Sequence, residues 1–166
     1  MGIVINKGTK NPRESMNTCV VDGTTQAKGA TTIHTLPPSH AAVVAAIKDS
    51  NITTLQKLIN SKADIAARDA SGATPLIIAV REGRDEAVSV LLDAGAYANV
   101  RDVNHDTPLS LAAMSGNVKI LDRLIHAQAD LESTHNRGQT ALLLAVSRNH
   151  VDAIRLLMRA GVNVNV

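Results

Sequence analysis

Apolar residues from position 74 onward fall into paired helical patterns separated by turn residues. Val88 with Leu91 and Leu92, Leu121 with Leu124 and Ile125, and Ile154 with Leu157 and Met158 recur at steps of three and four, the spacing of one apolar helix face. A shorter apolar stretch precedes each of these and follows a threonine. Thr74 and Thr107 suit an N-cap, because a side-chain oxygen can take an orphan amide of the first turn, and Pro75 and Pro108 start a helix with a preset φ and no amide to satisfy. Gly83 and Gly116 fit the left-handed position that ends this first helix, with Asn149 the next best choice. Gly95 and Gly161 close the second helix in the same way. Gln128 in that phase has to accept an awkward backbone and predicts a softer turn.

These hairpins repeat. Thr74, Thr107 and Thr140 are 33 residues apart, as are Leu76, Leu109 and Leu142, then Ala79, Ala112 and Ala145, then Leu91, Leu124 and Leu157. One further step back lands on Ala41, Val43, Ala46 and Leu58, a weaker first copy. A helix pair this short cannot bury its apolar face alone, so such units survive by stacking on their neighbours, about three or more at a time.

The segments Asp69-Ala-Ser-Gly-Ala-Thr-Pro-Leu76 and Asp102-Val-Asn-His-Asp-Thr-Pro-Leu109, each followed by an Ala-containing helix, Gly and a second Leu-rich helix, resemble the ankyrin repeat. The resemblance covers about residues 39 to 166. It implies an all-α ankyrin-repeat solenoid of stacked helix-turn-helix units with short β-turn tips. About four repeats follow an N-terminal leader, at roughly 39–68, 69–101, 102–134 and 135–166. The histidine usual after Thr-Pro-Leu is replaced by Ile77, Ser110 and Leu143, so these loops are expected to lack one customary polar tie. Ala141 stands where Pro75 and Pro108 stood.

Partners of that family mostly meet the turn tips and the exposed side of the first helices. The matching positions in the first clear repeat are Ala70, Ser71 and Ala73 with Arg81 and Glu82. The second contributes Val103, Asn104, Asp106, Met114 and Ser115, and the third Asn136, Arg137, Gln139, Ser147 and Arg148, with Lys48 and Asp49 extending the row. Apolar anchors amid a polar rim with arginines suit a protein partner, and Val103 and Met114 would form that apolar centre.

The two ends break the pattern. Residues 1–38 are rich in Thr, Gly, Lys and Asn and reach Pro37-Pro38 before the first helix, the composition of a mobile leader. Gly2 to Ile5 and Cys19 to Val21 leave room for a short strand, and an export or targeting role is the sharper alternative. At the other end the sequence stops at Val166, two residues before a further repeat would place its first aspartate. Terminal repeats normally show a polar outer face, yet Ala141 to Val146 is apolar on every side. Further chain, a partner or self-association through this C-terminal repeat would each explain that, as would cover from its own repeat and the tail from Val162.

Composition changes the picture in three places. With 45% hydrophobic residues but no Phe, no Trp and only Tyr97, the core is built from aliphatic side chains and close backbone approach. The net charge of +2 arises entirely in residues 1–38, where Lys7, Lys10, Arg13 and Lys28 face Glu14 and Asp22, and no basic stripe marks a nucleic-acid reader. Cys19 alone forms no internal disulfide or thiolate cluster. The longest apolar runs fall far short of the roughly 20 residues that span a bilayer, so neither nucleic acid nor membrane is expected as a partner.

The chemistry of catalysis finds no support in the residues. No Walker or dinucleotide fingerprint occurs, and His34, His40, His105, His126, His135 and His150 show no metal-binding spacing, so no cofactor and no metal are expected. Asp85 and Glu86 are adjacent on a helix and point about 100° apart, which suits charges on a first turn and not a facing acid/base pair. Cys19 and His34 would need a frame to hold them in register. The reading is a cytoplasmic, non-catalytic module binding a protein partner. An exported effector or enzyme-neutralising protein, acting in a host cytoplasm with residues 1–38 as leader, and the regulatory portion of a larger enzyme are the alternatives.

Overall fold

Threonine and proline set where the helices begin. In the computed structural model, which describes residues 40–136 and 138–163, Thr74, Thr107 and Thr140 adopt extended backbone and accept the amides of Ile77, Ser110 and Leu143 at 3.5, 3.1 and 3.5 Å. Eight helices follow one another: α1 His40–Lys48, α2 Ile52–Asn60, α3 Pro75–Arg81, α4 Asp85–Asp93, α5 Pro108–Ser115, α6 Val118–His126, α7 Ala141–Ser147 and α8 Val151–Arg159. No strand occurs among the described residues. The expected loss of a polar tie after Thr-Pro-Leu is corrected at one site. Ser110 completes a capping box, its hydroxyl accepting the Thr107 amide at 2.9 Å and donating to the Thr107 carbonyl at 2.8 Å.

Turn geometry keeps the 33-residue phase even where the residue type does not. Ser50, Gly83, Gly116 and Asn149 all have φ between 54° and 70° at the end of a first helix, and Lys62, Gly95, Gln128 and Gly161 between 59° and 87° after a second. Glycine adopts this left-handed region without the Cβ conflict the others bear. Gln128 does bear it, as its phase predicts, and Ser50 and Lys62 show that the weak first copy follows the same path.

Each helix has seven to nine residues, about 10–13 Å at 1.5 Å per residue, too short to persist alone in water. Stability comes from stacking. The helices pair as α1 with α2, α3 with α4, α5 with α6 and α7 with α8, and the pairs lie side by side through α1, α3, α5 and α7 in one row and α2, α4, α6 and α8 in the other. Leu55, Leu91, Leu124 and Leu157 are fully buried in the second row. Ala46, Ala79, Ala112 and Ala145 occupy one phase of the first row and are almost completely buried, which lets helix backbones approach closely and explains how a core without large aromatics fills its space. The apolar stripe expected on the second helices holds for Val88, Leu91, Leu121 and Leu124 but fails at Met158, which is 56% exposed. The leader at residues 1–38, with Cys19 and His34, lies outside the described residues.

Candidate functional site

Between a second helix and the next first helix the chain turns through a finger. In two fingers an aspartate braces the turn. Asp69 Oδ1 accepts the Ser71 amide at 2.8 Å, the Ala73 amide at 2.9 Å and the Ser71 hydroxyl at 2.6 Å, while the Asp69 amide donates to the Ala73 carbonyl at 3.0 Å. Asp102, one period on, accepts the Asn104 and Asp106 amides, both at 2.9 Å, and its own amide donates to the Asp106 carbonyl. These are Asx-type turns, in which a short polar side chain replaces a missing backbone partner. The third finger carries His135 at this phase. It keeps the backbone bond from the His135 amide to the Gln139 carbonyl at 2.9 Å without a carboxylate at its centre.

Neighbouring fingers are tied to one another. The Val103 amide donates to the Ser71 carbonyl at 3.0 Å, and Arg68 Nη1 donates to the Gly72 and Arg101 carbonyls at 3.0 and 2.6 Å. A Cβ on Gly72 would stand 3.2 Å from Val103 Cγ1, so the first two fingers pack backbone against side chain. Arg81 reaches from the end of α3 to Asp102 Oδ2 at 2.9 Å, and His135 Nε2 approaches Asp106 Oδ1 at 2.5 Å without the alignment of a hydrogen bond.

Charge follows this geometry. The Ser71 hydroxyl, aided by the Ala73 and Ser71 amides and opposed by partial burial, holds the Asp69 carboxyl below the usual carboxylate range. Burial pushes the Asp106 carboxyl above that range and the adjacent Asp102 carboxylate adds to the effect, against the pull of His135 and Arg81.

The residues expected to meet a partner divide accordingly. Ala70, Glu82, Val103, Asn104, Ser115, Asn136, Ser147 and Arg148 are exposed, as are Lys48 and Asp49. Val103 is 64% exposed at the tip of its finger, and Tyr97, earlier in the same connection, is 68% exposed. Ser71 and Gln139 are half-buried, and Arg137 lies outside the described residues. Three expectations change. Ala73 is fully buried beneath its finger. Asp106 is buried against His135 and faces the neighbouring finger, so its carboxyl is spent on the contact between fingers and is not open to a partner. Met114 is half-buried and packs against the core, and so does not stand out as an apolar anchor. Arg81 remains partly exposed, but its guanidinium is committed to Asp102.

Repeats of 33 residues, hairpins of two short helices and aspartate-braced fingers together meet the description of one family. A family model described as ankyrin repeats, in three copies, matches residues 32–102 and 95–166. The chain belongs to the ankyrin-repeat family. A search of curated proteins found no match. Ankyrin repeats are generally modules of protein–protein interaction, typically without catalytic function. Among the described residues no group of three or more His, Cys, Asp or Glu side chains is placed to hold a metal ion, and no helix is long and apolar enough to cross a membrane.

Sequence reasoning did not single out Asp69, Asp102, His135 or Arg68 as the residues that shape the ankyrin fingers. A signal was present for the first two, since aspartates in one phase of the repeat each precede backbone amides two and four residues on. The links from Arg81 to Asp102 and from Asp106 to His135 cross between repeats, and no local pattern announces them.

Proposed function

We propose that this ankyrin stack is a non-catalytic module that holds a protein partner on its finger tips and on the exposed ends of its first helices. The observation that carries the reading is a division of labour within each repeat. Asp69, Asp102, Arg81 and Asp106 are spent on fixing the fingers, while Val103 projects 64% exposed from a finger whose backbone is bonded to the preceding finger and across its own turn. A rigid apolar anchor with polar neighbours, here Asn104 and Ser71 with Arg148 farther along the row, loses little entropy on binding and suits a protein surface better than a polyanion.

The test is quantitative capture of partners from cell extract by the full chain, beside Val103→Asp with Arg148→Glu. Loss of the retained protein with unchanged helical signal and melting temperature supports the assignment. Retention at full yield by the double variant places recognition elsewhere.

A further inference from the structure

The two ends of the stack differ in how they meet their surroundings. Ala45 occupies the phase of Ile78, Leu111 and Leu144, which are 5–7% exposed. Ala45 itself is exposed, so the leading face of α1 is trimmed there to a methyl group, and α2 presents Thr53, Thr54, Gln56, Lys57 and Asn60 to solvent beside half-buried Leu58 and Ile59. The opposite end is not reduced. Val146 is 53% exposed in the phase where Val80 and Ala113 are buried, and half-buried Leu143 stands where Ile77 and Ser110 are buried. On α8, Ile154 is half-buried in the phase of fully buried Val88 and Leu121, and Met158 and Val151 are exposed. Leu143, Val146 and Ile154 stand at positions that the earlier hairpins bury, and Met158 at one that they half-bury, so α7 and α8 carry an aliphatic face shaped to receive another body.

We propose that this face is covered by the same face of a second copy of the chain, closing a two-fold dimer. A head-to-tail arrangement would set Leu143, Val146 and Met158 against exposed Ala45 and a largely polar α2 with only Leu58 and Ile59 half-buried, a less apolar contact than the trailing face makes with itself, and it would not close. Charge selects the two-fold. Helix α8 carries Asp152 in its first turn and Arg159 in its last, so an antiparallel copy brings Asp152 of each chain toward Arg159 of the other and Val151 toward Met158. The antiparallel pairing also opposes the two helix dipoles. Arg155, midway along the helix, lies 3.9 Å from Asp152 of its own chain, which moderates repulsion from its symmetry mate. Such a dimer leaves both finger rows open, so a partner with two matching sites would be held bivalently.

Sedimentation equilibrium of the full chain over a concentration series tests this. The weight-average mass should rise to that of two chains and level there. Val146→Glu and Met158→Glu should each raise the dissociation constant by about tenfold or more, the equivalent of about 1.4 kcal/mol, without loss of helical signal. Asp152→Arg should weaken association, and Asp152→Arg combined with Arg159→Asp should restore it. This reversal keeps the test decisive even where a glutamate variant folds poorly. A mass that stays at one chain up to about 1 mM overturns the proposal, as does one that climbs past two chains or a charge reversal that restores nothing.

Discussion

His150 lies over Gly116. A Cβ built on Gly116 would fall 2.5 Å from His150 Nδ1 and 2.7 Å from its Cγ, and the other ring nitrogen sits 3.2 Å from the Met114 carbonyl. The fourth repeat therefore rests its imidazole on the turn that ends the first helix of the third, at a point where the backbone is also left-handed, with φ 70°.

Gly116→Ala meets two penalties at once, the left-handed Cβ and the imidazole, and should cost about 2–4 kcal/mol. Gly83→Ala has the same left-handed backbone with nothing within 4 Å, so it should cost only about 1–2 kcal/mol. Urea midpoints compare the two. A His150→Ala background should recover part of the Gly116→Ala loss, and equal losses at both glycines would show that the imidazole is not in the way.

Replacing Leu91, Leu124 or Leu157 with Ala removes a fully buried side chain from the second row and should cost about 2–5 kcal/mol. Met158→Ala, one turn position away but 56% exposed, should cost well under about 1 kcal/mol. Denaturation of the four variants side by side checks the contrast.

The 33-residue period made these buried leucines, the threonine caps and the left-handed positions legible, because each depends on residues close in sequence and recurs in register. What crosses between repeats was not legible. Nothing near Asp106 in the chain announces His135, and nothing near Gly116 announces His150, since each pair meets only after stacking. Met158 was misread for a related reason. Its helical spacing matches Ile125 and Leu92, but that phase lies at the margin of the helix face, where even those two are only half-buried with a hairpin beside them. Ser110 was read as a lost polar tie because the family's usual histidine is absent, while its hydroxyl reaches the Thr107 amide by a shorter route.

Arg81→Ala should cost about 1–2 kcal/mol, because Asp102 is buried and loses its charged partner while the arginine itself is partly solvated. A double-mutant cycle with Asp102→Asn measures the coupling. Additive losses would mean that the 2.9 Å pair contributes nothing specific.

Asp106 and Asp69 should give opposite pH slopes. Asp106 has its folded pKa raised by burial, so the folded chain holds a proton that the unfolded chain has released. Its contribution is full below the ordinary value of 3.8 and declines as pH rises through the raised one. Asp69, lowered chiefly by the Ser71 hydroxyl, contributes above 3.8 and loses that contribution as pH falls through the depressed value. Urea midpoints of Asp106→Asn and Asp69→Asn across the acid range, each compared with the parent, should separate the two trends. Parallel curves for parent and both variants would contradict this assignment.

Stacking, and not the single hairpin, is held to be the source of stability. Hydrogen exchange measured helix by helix in Leu124→Ala tests it most directly. Protection should fall in α4 and α8 as well as in α6, since both neighbours lose the surface on which they rest. Loss confined to α6, with α4 and α8 protected as in the parent, would contradict it.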